Sequence, residues 1–510
     1  MRYLTILLIA YLYAVSIANA QNMIGTTENL GPGINSACWD YRPKISPDGS
    51  TLYFTRIGCP REIYNTYENL VMIAETDSTG QWQAARIWDA PFNTFDRNPY
   101  VYSISPDNNS LLLTLVAPNT GNRQLCEVYR TASGWSEPQV IDLGFPLPKY
   151  NSTFCLSNSG KVLIFSFEGN DQTGRGMGEK DLYISFRQAD GKWSVAKNLG
   201  EIVNSPTLEL GPFLASDDAT LYFSSGRSDN NHGSNDLYMT RRLDDSWTNW
   251  SEPVNLGDGL NDDGWNDAFF IPAVGDYAYT NSEINTMGAG DIFRVKIMQA
   301  IKPMETILIE GKVVDSNGAP LEAIIKYQFL ADGADAGFAR TNPTSGVYKI
   351  VLPKGKQYSM YAESKGYYSV SEMLDLCTAN LATKINRNIT LKLLQVGQNI
   401  LLNNLFFETN SATLMPESET ELKRLADLLK SSPNIKIQIL GYTDSDGDDS
   451  YNLKLSDQRA LSVLNYLVKM EISATRLSKA GMGEKNPVAD NNTPEGKKAN
   501  RRVEFLIKEF

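Results

Sequence analysis

The sequence predicts a multidomain chain: a β-propeller of about five blades, a small antiparallel β-sandwich, and a C-terminal α/β sandwich. Three observations carry this expectation. A ten-residue pattern recurs five times, starting at residues 45, 104, 156, 214 and 271, and self-similarity at a near-fixed period marks a repeat architecture. Between about 305 and 394, short alternating strands are separated by Gly, Pro, Asn and Asp turns, as in a sandwich. From about 398 onward, strands are followed by helices whose apolar residues recur every three or four positions.

The chain opens with Arg2, an apolar run from Leu4 to Ala18 broken only by Thr5 and Ser16, and Ala18-Asn19-Ala20 before Gln21. A charged start, a short apolar core and an Ala-x-Ala site predict a secretory signal peptide over residues 1–20. The apolar run is shorter than the ~20 residues a spanning helix needs. Gln21 stands where a lipoprotein signal would have cysteine, and no later stretch is apolar enough to cross a membrane. The mature chain is therefore expected to be exported and soluble, without a transmembrane segment. Over 510 residues the net charge is −12, and the densest basic cluster is Lys497-Lys498 with Arg501-Arg502. That balance argues against a nucleic-acid partner. Of five cysteines, Cys38, Cys59, Cys126 and Cys155 could form two disulfides in any of three pairings, leaving Cys377 over. Cys155 lies in an apolar strand, so a buried free thiol is the alternative there. No Cys-x-x-Cys is present, and neither a metal nor a cofactor is expected.

The repeats span residues 21–300. Clear copies are Ile45-Ser-Pro-Asp-Gly-Ser-Thr-Leu-Tyr-Phe54, Ile104-Ser-Pro-Asp-Asn-Asn-Ser-Leu-Leu-Leu113 and Leu214-Ala-Ser-Asp-Asp-Ala-Thr-Leu-Tyr-Phe223. Each reads as strand, turn, strand. A third strand follows at Asp181-Leu-Tyr, Asp236-Leu-Tyr and Asp291-Ile-Phe, and a fourth near Trp135-Ser136, Trp193-Ser194 and Trp250-Ser251. Asn-Leu-Gly closes the unit at 198–200 and 255–257, and the same triplet stands at 29–31 ahead of the first copy. Repeated four-stranded units are the propeller's way of protecting sheet edges. The count is five blades, or six if residues 22–38 supply a strand of their own. Asn29-Leu30-Gly31 is expected beside the last blade or leading into the first. Interior aromatic residues are read as core, with binding expected only at loop ends. These units resemble the WD40-like PD40 repeats of TolB-type propellers.

In residues 305–394, Ile307 to Val314 alternates, Asp315-Ser-Asn-Gly318 turns, and Pro320-Leu321 restarts the chain. The pattern Gly-x-Val-x-Asp-x-x-Gly-x-Pro-Leu resembles the carboxypeptidase regulatory-like fold, which implies a spacer or contact surface and no peptidase. In residues 398–510, Leu405–Asn410 is read as the first strand and Pro416 as a helix start. Leu422, Leu425, Leu428 and Leu429 form that helix's buried stripe.

The stretch of most chemical interest is Gly441-Tyr442-Thr443-Asp444, followed by Asn452, Leu455-Ser456 and Arg459-Ala460. Asp444 leaves a strand and Arg459 lies about two turns into the next helix. A carboxylate and a guanidinium on opposite walls would suit a ligand carrying both an ammonium and a carboxylate; a direct Asp444–Arg459 ion pair is the alternative. With Gly481-Met-Gly483-Glu484, Pro487, Asn491-Asn-Thr493 and Asn500-Arg501-Arg502-Val503, this stretch resembles the OmpA C-terminal (OmpA/Pal/MotB-like) family. The resemblance implies peptidoglycan binding, with Asp444 and Arg459 holding the diaminopimelate of the stem peptide. It places Thr443, Asn410, Asn452 and Arg501 around the ligand, although Arg502 competes with Arg501 for that place. Tyr442 stands where the family usually has histidine.

The order signal, propeller, sandwich and OmpA-like tail resembles the PorE-like envelope proteins of Bacteroidota. That implies a non-enzymatic periplasmic anchor, at the wall or the inner face of the outer membrane. The propeller and sandwich would hold an envelope protein partner linked to type IX secretion or gliding. This chain lacks the TPR repeats of that component. The alternative is a propeller that binds glycans or hydrolyses a substrate while tethered to the wall. Its one histidine, His232, has no nucleophile elbow nearby. The acidic turns at Asn261–Asp267 and Asp444–Asp449 lack a complete calcium-ligand spacing.

Overall fold

A computed structural model describes residues 24–58, 69–117, 121–147, 152–170, 174–227, 233–368, 371–378, 383–408 and 410–509. The signal-like segment, Cys59 and His232 lie outside them. The chain divides into two compact units. One runs through Glu310 and includes 349–354 and 382–385; the other comprises 311–348, 355–381 and 386–510.

Among the described residues of the first unit the repeats fold as five antiparallel sheets, each a run of four strands, with a two-stranded ribbon of Gly169–Asn170 and Gly174–Arg175 besides. The first sheet is Trp39–Ile45, Thr51–Ile57, Leu70–Glu75 and Arg86–Ile87. The second is Tyr100–Ile104, Ser110–Val116, Arg123–Thr131 and Gln139–Val140, with Gly134–Trp135 added beside the third strand. Phe154–Leu156, Val162–Phe167, Asp181–Phe186 and Lys197–Asn198 make the third. Glu209–Leu214, Thr220–Ser225, Asp236–Arg241 and Val254–Asn255 make the fourth. The fifth takes Phe269–Phe270, Tyr277–Ser282 and Asp291–Ile297 from the repeat, and its outer strand is Ile24–Asn29. Among the described residues, Ile24–Asn29 therefore completes the fifth sheet and starts no sixth.

The repeated triplet has a physical explanation. In the third sheet Asn198 donates to Asp181 (2.7 Å) and accepts from the Gly200 amide and from Asn204 (both 2.8 Å). The fourth sheet repeats this with Asn255, Asp236, Gly257 and Asn261. In the fifth, Asn29 takes the same role against Asp291, Gly31 and Asn35. Each network satisfies buried backbone and side-chain groups that would otherwise cost the desolvation of an unpaired polar atom. The Trp-Ser motif has a similar reason. The hydroxyls of Ser136, Ser194 and Ser251 accept third-strand amides of Tyr129, Phe186 and Arg241 at 3.0–3.1 Å.

The first strands of successive sheets touch through side chains. Tyr102 donates to the Ser152 carbonyl (2.8 Å), and Ser103 accepts from the Leu156 amide (2.9 Å). Thr153 accepts from the Gly211 amide (2.9 Å), and the Cys155 thiol from the Leu214 amide (3.2 Å). Gly211, at φ 55°, lies so close to the Asp267 carbonyl that a Cβ would sit 2.0 Å from its oxygen. Tyr41 of the first sheet donates in turn to Asp267.

Cys38 is disulfide-bonded, whereas Cys126 and Cys155 are buried free thiols and Cys377 is an exposed one. The two-disulfide arrangement among the first four cysteines is thus corrected. Cys126 and Cys155 serve as small apolar residues inside strands, and burial raises both thiol pKa values.

The second unit holds an antiparallel sheet of Asp335–Arg340, Ile324–Phe329, Gln357–Glu363 and Glu372–Asp375. Its terminal part is a four-stranded sheet ordered Asn399–Leu402, Val503–Glu509, Lys436–Gly441 and Leu477–Gly481. The last two run parallel and the other pairs antiparallel. Helices α1 (Glu419–Ser431), α2 (Asp449–Lys469) and α3 (Pro494–Asn500) accompany it. The apolar stripe of α1 and residues Ala460, Val463 and Leu467 of α2 share a core with Val503, Phe505 and Ile507. The sequence suggested Leu405–Asn410 as the first strand, but Leu405–Glu408 does not join the sheet. Asn399–Leu402 takes that place because Ile400 and Leu402 point into the core, and Asn404, at φ 57°, turns the chain afterwards. Tyr368 enters the same core edge-on to Phe505, 5.0 Å away.

Candidate functional site

The Gly441–Asp444 stretch leaves the strand Lys436–Gly441 at the point where α2 packs against it. Gly441 is required by that approach, since a Cβ there would lie 2.2 Å from the Ser456 carbonyl of α2. The following residues are held by backbone bonds, from the Tyr442 amide to Arg502 (2.9 Å) and the Thr443 amide to Gly483 (2.9 Å). Asp444 is buried, with 6 % of its surface exposed, and faces the start of α2. Asn452, on the first turn of α2, donates to the Asp444 carbonyl (3.4 Å) and to Glu484 (3.2 Å). These bonds fix the loop so that the Asp444 carboxylate stays in place.

Asp444 and Arg459 do not pair with each other. The partner of Asp444 is Arg501, whose Nη1 donates to Oδ2 at 2.5 Å; Oδ1 accepts from the Asp446 amide at 3.2 Å. Arg459, 7 % exposed, donates through Nε to the Ser411 carbonyl (3.1 Å) and lies over the Phe407 ring, 5.1 Å from its centroid. Neither Nη1 nor Nη2 has a hydrogen-bond partner among the described residues. Burial, reinforced by the charge of Arg501, lowers the Arg459 pKa, and Asp444 opposes that shift. The Thr443 hydroxyl is buried without a partner. The site thus offers a carboxylate, free guanidinium donors and an orphaned hydroxyl.

Sequence reasoning left Arg501 and Arg502 undecided, and they part company here. Arg501 turns to Asp444. Arg502 lies over the Tyr442 ring, 3.7 Å from its centroid, and donates to Glu504 (2.7 Å) and the Asn486 carbonyl (3.0 Å). These residues line a separate cavity of about 450 Å³. Tyr442, in the position usually held by histidine, belongs to that cavity and makes no hydrogen bond with Asp444. Asn410 stands beside Ser411 with its side chain exposed and its backbone at φ 53°. Ser411 and Phe407, which support Arg459, went unnoticed in the sequence because a carbonyl and a ring face carry no motif. In the Asn261–Asp267 turn two carboxylates are taken up by protein groups: Asp262 accepts from the Gly264 amide, Asn266 and Ser282, and Asp267 from Tyr41.

Residues 406–501 match the OmpA family. Within and around this segment the chain is 39% identical over 145 residues to the probable lipoprotein YiaD of Escherichia coli, which covers 28% of this chain and 64% of that protein. It is 42% identical over 101 residues to the peptidoglycan-binding protein ArfA of Mycobacterium tuberculosis, 20% of this chain and 31% of that one. This chain therefore spans less than two thirds of these relatives. A crystal structure of the peptidoglycan-associated lipoprotein from Burkholderia pseudomallei is 28% identical, covering 20% of this chain and 88% of that one, with a TM-score of 0.20. The OmpA-family segment contains Asp444, Arg459 and Arg501 together. No described helix is long and apolar enough to cross a membrane.

Proposed function

We propose that the OmpA-family domain binds peptidoglycan and anchors the protein to the cell wall, as a non-enzymatic tether in the periplasm. The observation that carries this reading is the state of the site: Arg459 keeps free Nη donors beside a buried carboxylate that it does not neutralise. A diaminopimelate side chain ends in an ammonium and a carboxylate on one carbon. Its ammonium meets Asp444, exchanging with or joining Arg501, and its carboxylate takes the Nη donors of Arg459. The Thr443 hydroxyl gains the partner it lacks, Asn452 holds the loop, and Asn410 borders the opening. Two charge-assisted contacts supply roughly 3–6 kcal/mol, so one stem peptide binds modestly, while the many sites of a sacculus retain the protein through avidity.

The five sheets are proposed to be propeller blades. Support comes from contacts between neighbouring sheets: Arg42 over the Tyr102 ring joins the first and second, Tyr102 with Ser152 the second and third, Thr153 with Gly211 the third and fourth, Gly211 against the Asp267 carbonyl the fourth and fifth, and Tyr41 with Asp267 the fifth and first. Such a body, with the sandwich, would hold an envelope protein partner, and the domain order favours an assembly of the type IX secretion or gliding class. The test of the tether is retention on purified diaminopimelate-type sacculi. Wild type should sediment with the wall, and Asp444→Ala and Arg459→Ala should each reduce retention at least tenfold. Equal retention of all three proteins, or none by the wild type, would refute the assignment.

A further inference from the structure

We propose that the meeting of the first strands of the five sheets is a binding site for a small carboxylate, held by Lys44 and Arg42. The first observation is an unpaired buried cation. Lys44 is 8 % exposed, and its ammonium makes no hydrogen bond or ion pair with the described residues; its neighbour is the Phe270 ring, 5.3 Å away. A buried ammonium without a counter-ion is costly, and proteins either neutralise it or pair it.

The second observation is local geometry. The pairing of Trp39–Ile45 with Thr51–Ile57 shifts between Tyr41 and Lys44, so one extra residue bulges there, and bulges re-aim side chains beside functional sites. Arg42 lies in this bulge at φ 54°, a backbone region that a non-glycine residue rarely adopts. The first strands of the second and fourth sheets shift register as well, at Val101/Ser103 and Leu210/Phe213. Arg42 is enclosed by the rings of Tyr41, Tyr102 and Tyr100, at 5.0, 5.2 and 5.8 Å, yet keeps 12% of its side chain accessible.

The third observation sets the charge of the ligand. Arg42 pairs with Asp267 at 3.5 Å, and Tyr41 donates to the same carboxylate oxygen. Asp267 Oδ1 is buried without a partner. The nearby Cys155 thiol and Tyr41 phenol are kept neutral by burial. Arg42 and Lys44 against Asp267 leave one surplus positive charge, which a monoanion balances. A sulfate dianion would overshoot and face Asp267. A carboxylate has the flat, two-oxygen geometry to bridge an ammonium and a guanidinium. It could belong to a free acid or to the end of a peptide.

All eight tryptophans lie between residues 39 and 265, so tryptophan fluorescence follows unfolding of the first unit in the full chain. Sodium acetate should raise its unfolding temperature saturably at pH 6.5, whereas chloride and sulfate at equal ionic strength should give no saturable rise. Lys44→Met should weaken the acetate response at least tenfold while unfolding no earlier than wild type without acetate. Triglycine and its C-terminal amide separate the two sources: a response to the free acid alone, beyond that to acetate, assigns a chain-end carboxylate. Acetate and triglycine acting no better than chloride, sulfate acting saturably in their place, or an unchanged response in Lys44→Met would overturn the proposal.

Discussion

Replacing Lys44 by methionine should stabilise the first unit at neutral pH, and the gain should disappear in alkali. The burial that leaves Lys44 without a counter-ion lowers its pKa from 10.5 to about 8, with Arg42 adding repulsion and Asp267 opposing it. One pKa step corresponds to about 1.4 kcal/mol, so the ammonium costs the folded state roughly 3 kcal/mol. The sign follows from proton linkage: the unfolded chain binds the proton more tightly than the folded one. The cost is complete below pH 8, declines as pH rises toward 10.5, and vanishes above it. Methionine keeps the apolar stem against Phe270 and removes the charge. Urea unfolding followed by tryptophan fluorescence, in carboxylate-free buffer, should give Lys44→Met an advantage of up to about 3 kcal/mol at pH 7. By pH 10.5 the two proteins should differ by less than about 1 kcal/mol. An advantage that is constant with pH would mean a packing effect, and a loss of stability at pH 7 would mean that the ammonium has a partner in the folded state. Either result refutes the reasoning.

Two further perturbations address the second unit, where α1, α2 and α3 make circular dichroism at 222 nm the natural probe. Gly441→Ala forces a Cβ to within 2.2 Å of the Ser456 carbonyl; overpacking of this kind costs about 1–3 kcal/mol. The melting temperature should fall and sacculus retention with it, and an unchanged melt would show that α2 is free to shift. Glu421 is buried between Arg424 (2.8 Å), Ser371 and Tyr368. Burial raises its pKa despite those partners. The folded state then holds the proton to higher pH than the unfolded one, so Glu421 destabilises increasingly as pH rises through its raised pKa. Glu421→Gln should melt above wild type at pH 8, with the difference closing below about pH 4.3, the ordinary glutamate value. A lower melting temperature at pH 8 would show that the Arg424 ion pair outweighs burial.

The elements legible in the sequence were those with a local cause. Turn residues and alternation marked the hairpins of the repeat, and the Asn-Leu-Gly triplet stood out because three sheets solve the same hydrogen-bonding problem with the same residues. Asp444 and Arg459 were legible for a related reason, since strand, turn and helix lengths fix their spacing. What the sequence concealed depends on contacts remote along the chain. Arg501 and Arg502 are consecutive at a strand entrance, where alternation tells that they face different ways but not which way each faces. Lys44 and Asp267 belong to sheets more than 200 residues apart, and the tyrosines around Arg42 read as core until the register shift in their neighbour is known. The Leu405–Asn410 misassignment has a local origin: Phe406 and Phe407 imitate a buried strand, whereas Ile400 and Leu402 supply the alternation that fills the core.

The Asn29 network bears on how the first unit holds together. In the third and fourth sheets the aspartate and both asparagines come from one repeat, so local folding completes the network. In the fifth sheet Asp291 must wait for Asn29 and Asn35, more than 250 residues away, and the strand Ile24–Asn29 pairs with Asp291–Ile297 in the same step. The Asn35 side chain also bonds both the amide and the carbonyl of Ile292 (2.9 and 3.0 Å), while Arg56 of the first sheet reaches the Ile34 carbonyl (2.9 Å). One short segment is thus bonded to the fifth sheet and the first at once. Closure entropy over such a distance is paid once and grows only logarithmically with loop length. The local repeats are therefore expected to form first, and the fastening of the first and fifth sheets last, as the bulged strand carrying Arg42 and Lys44 is brought against Asp267.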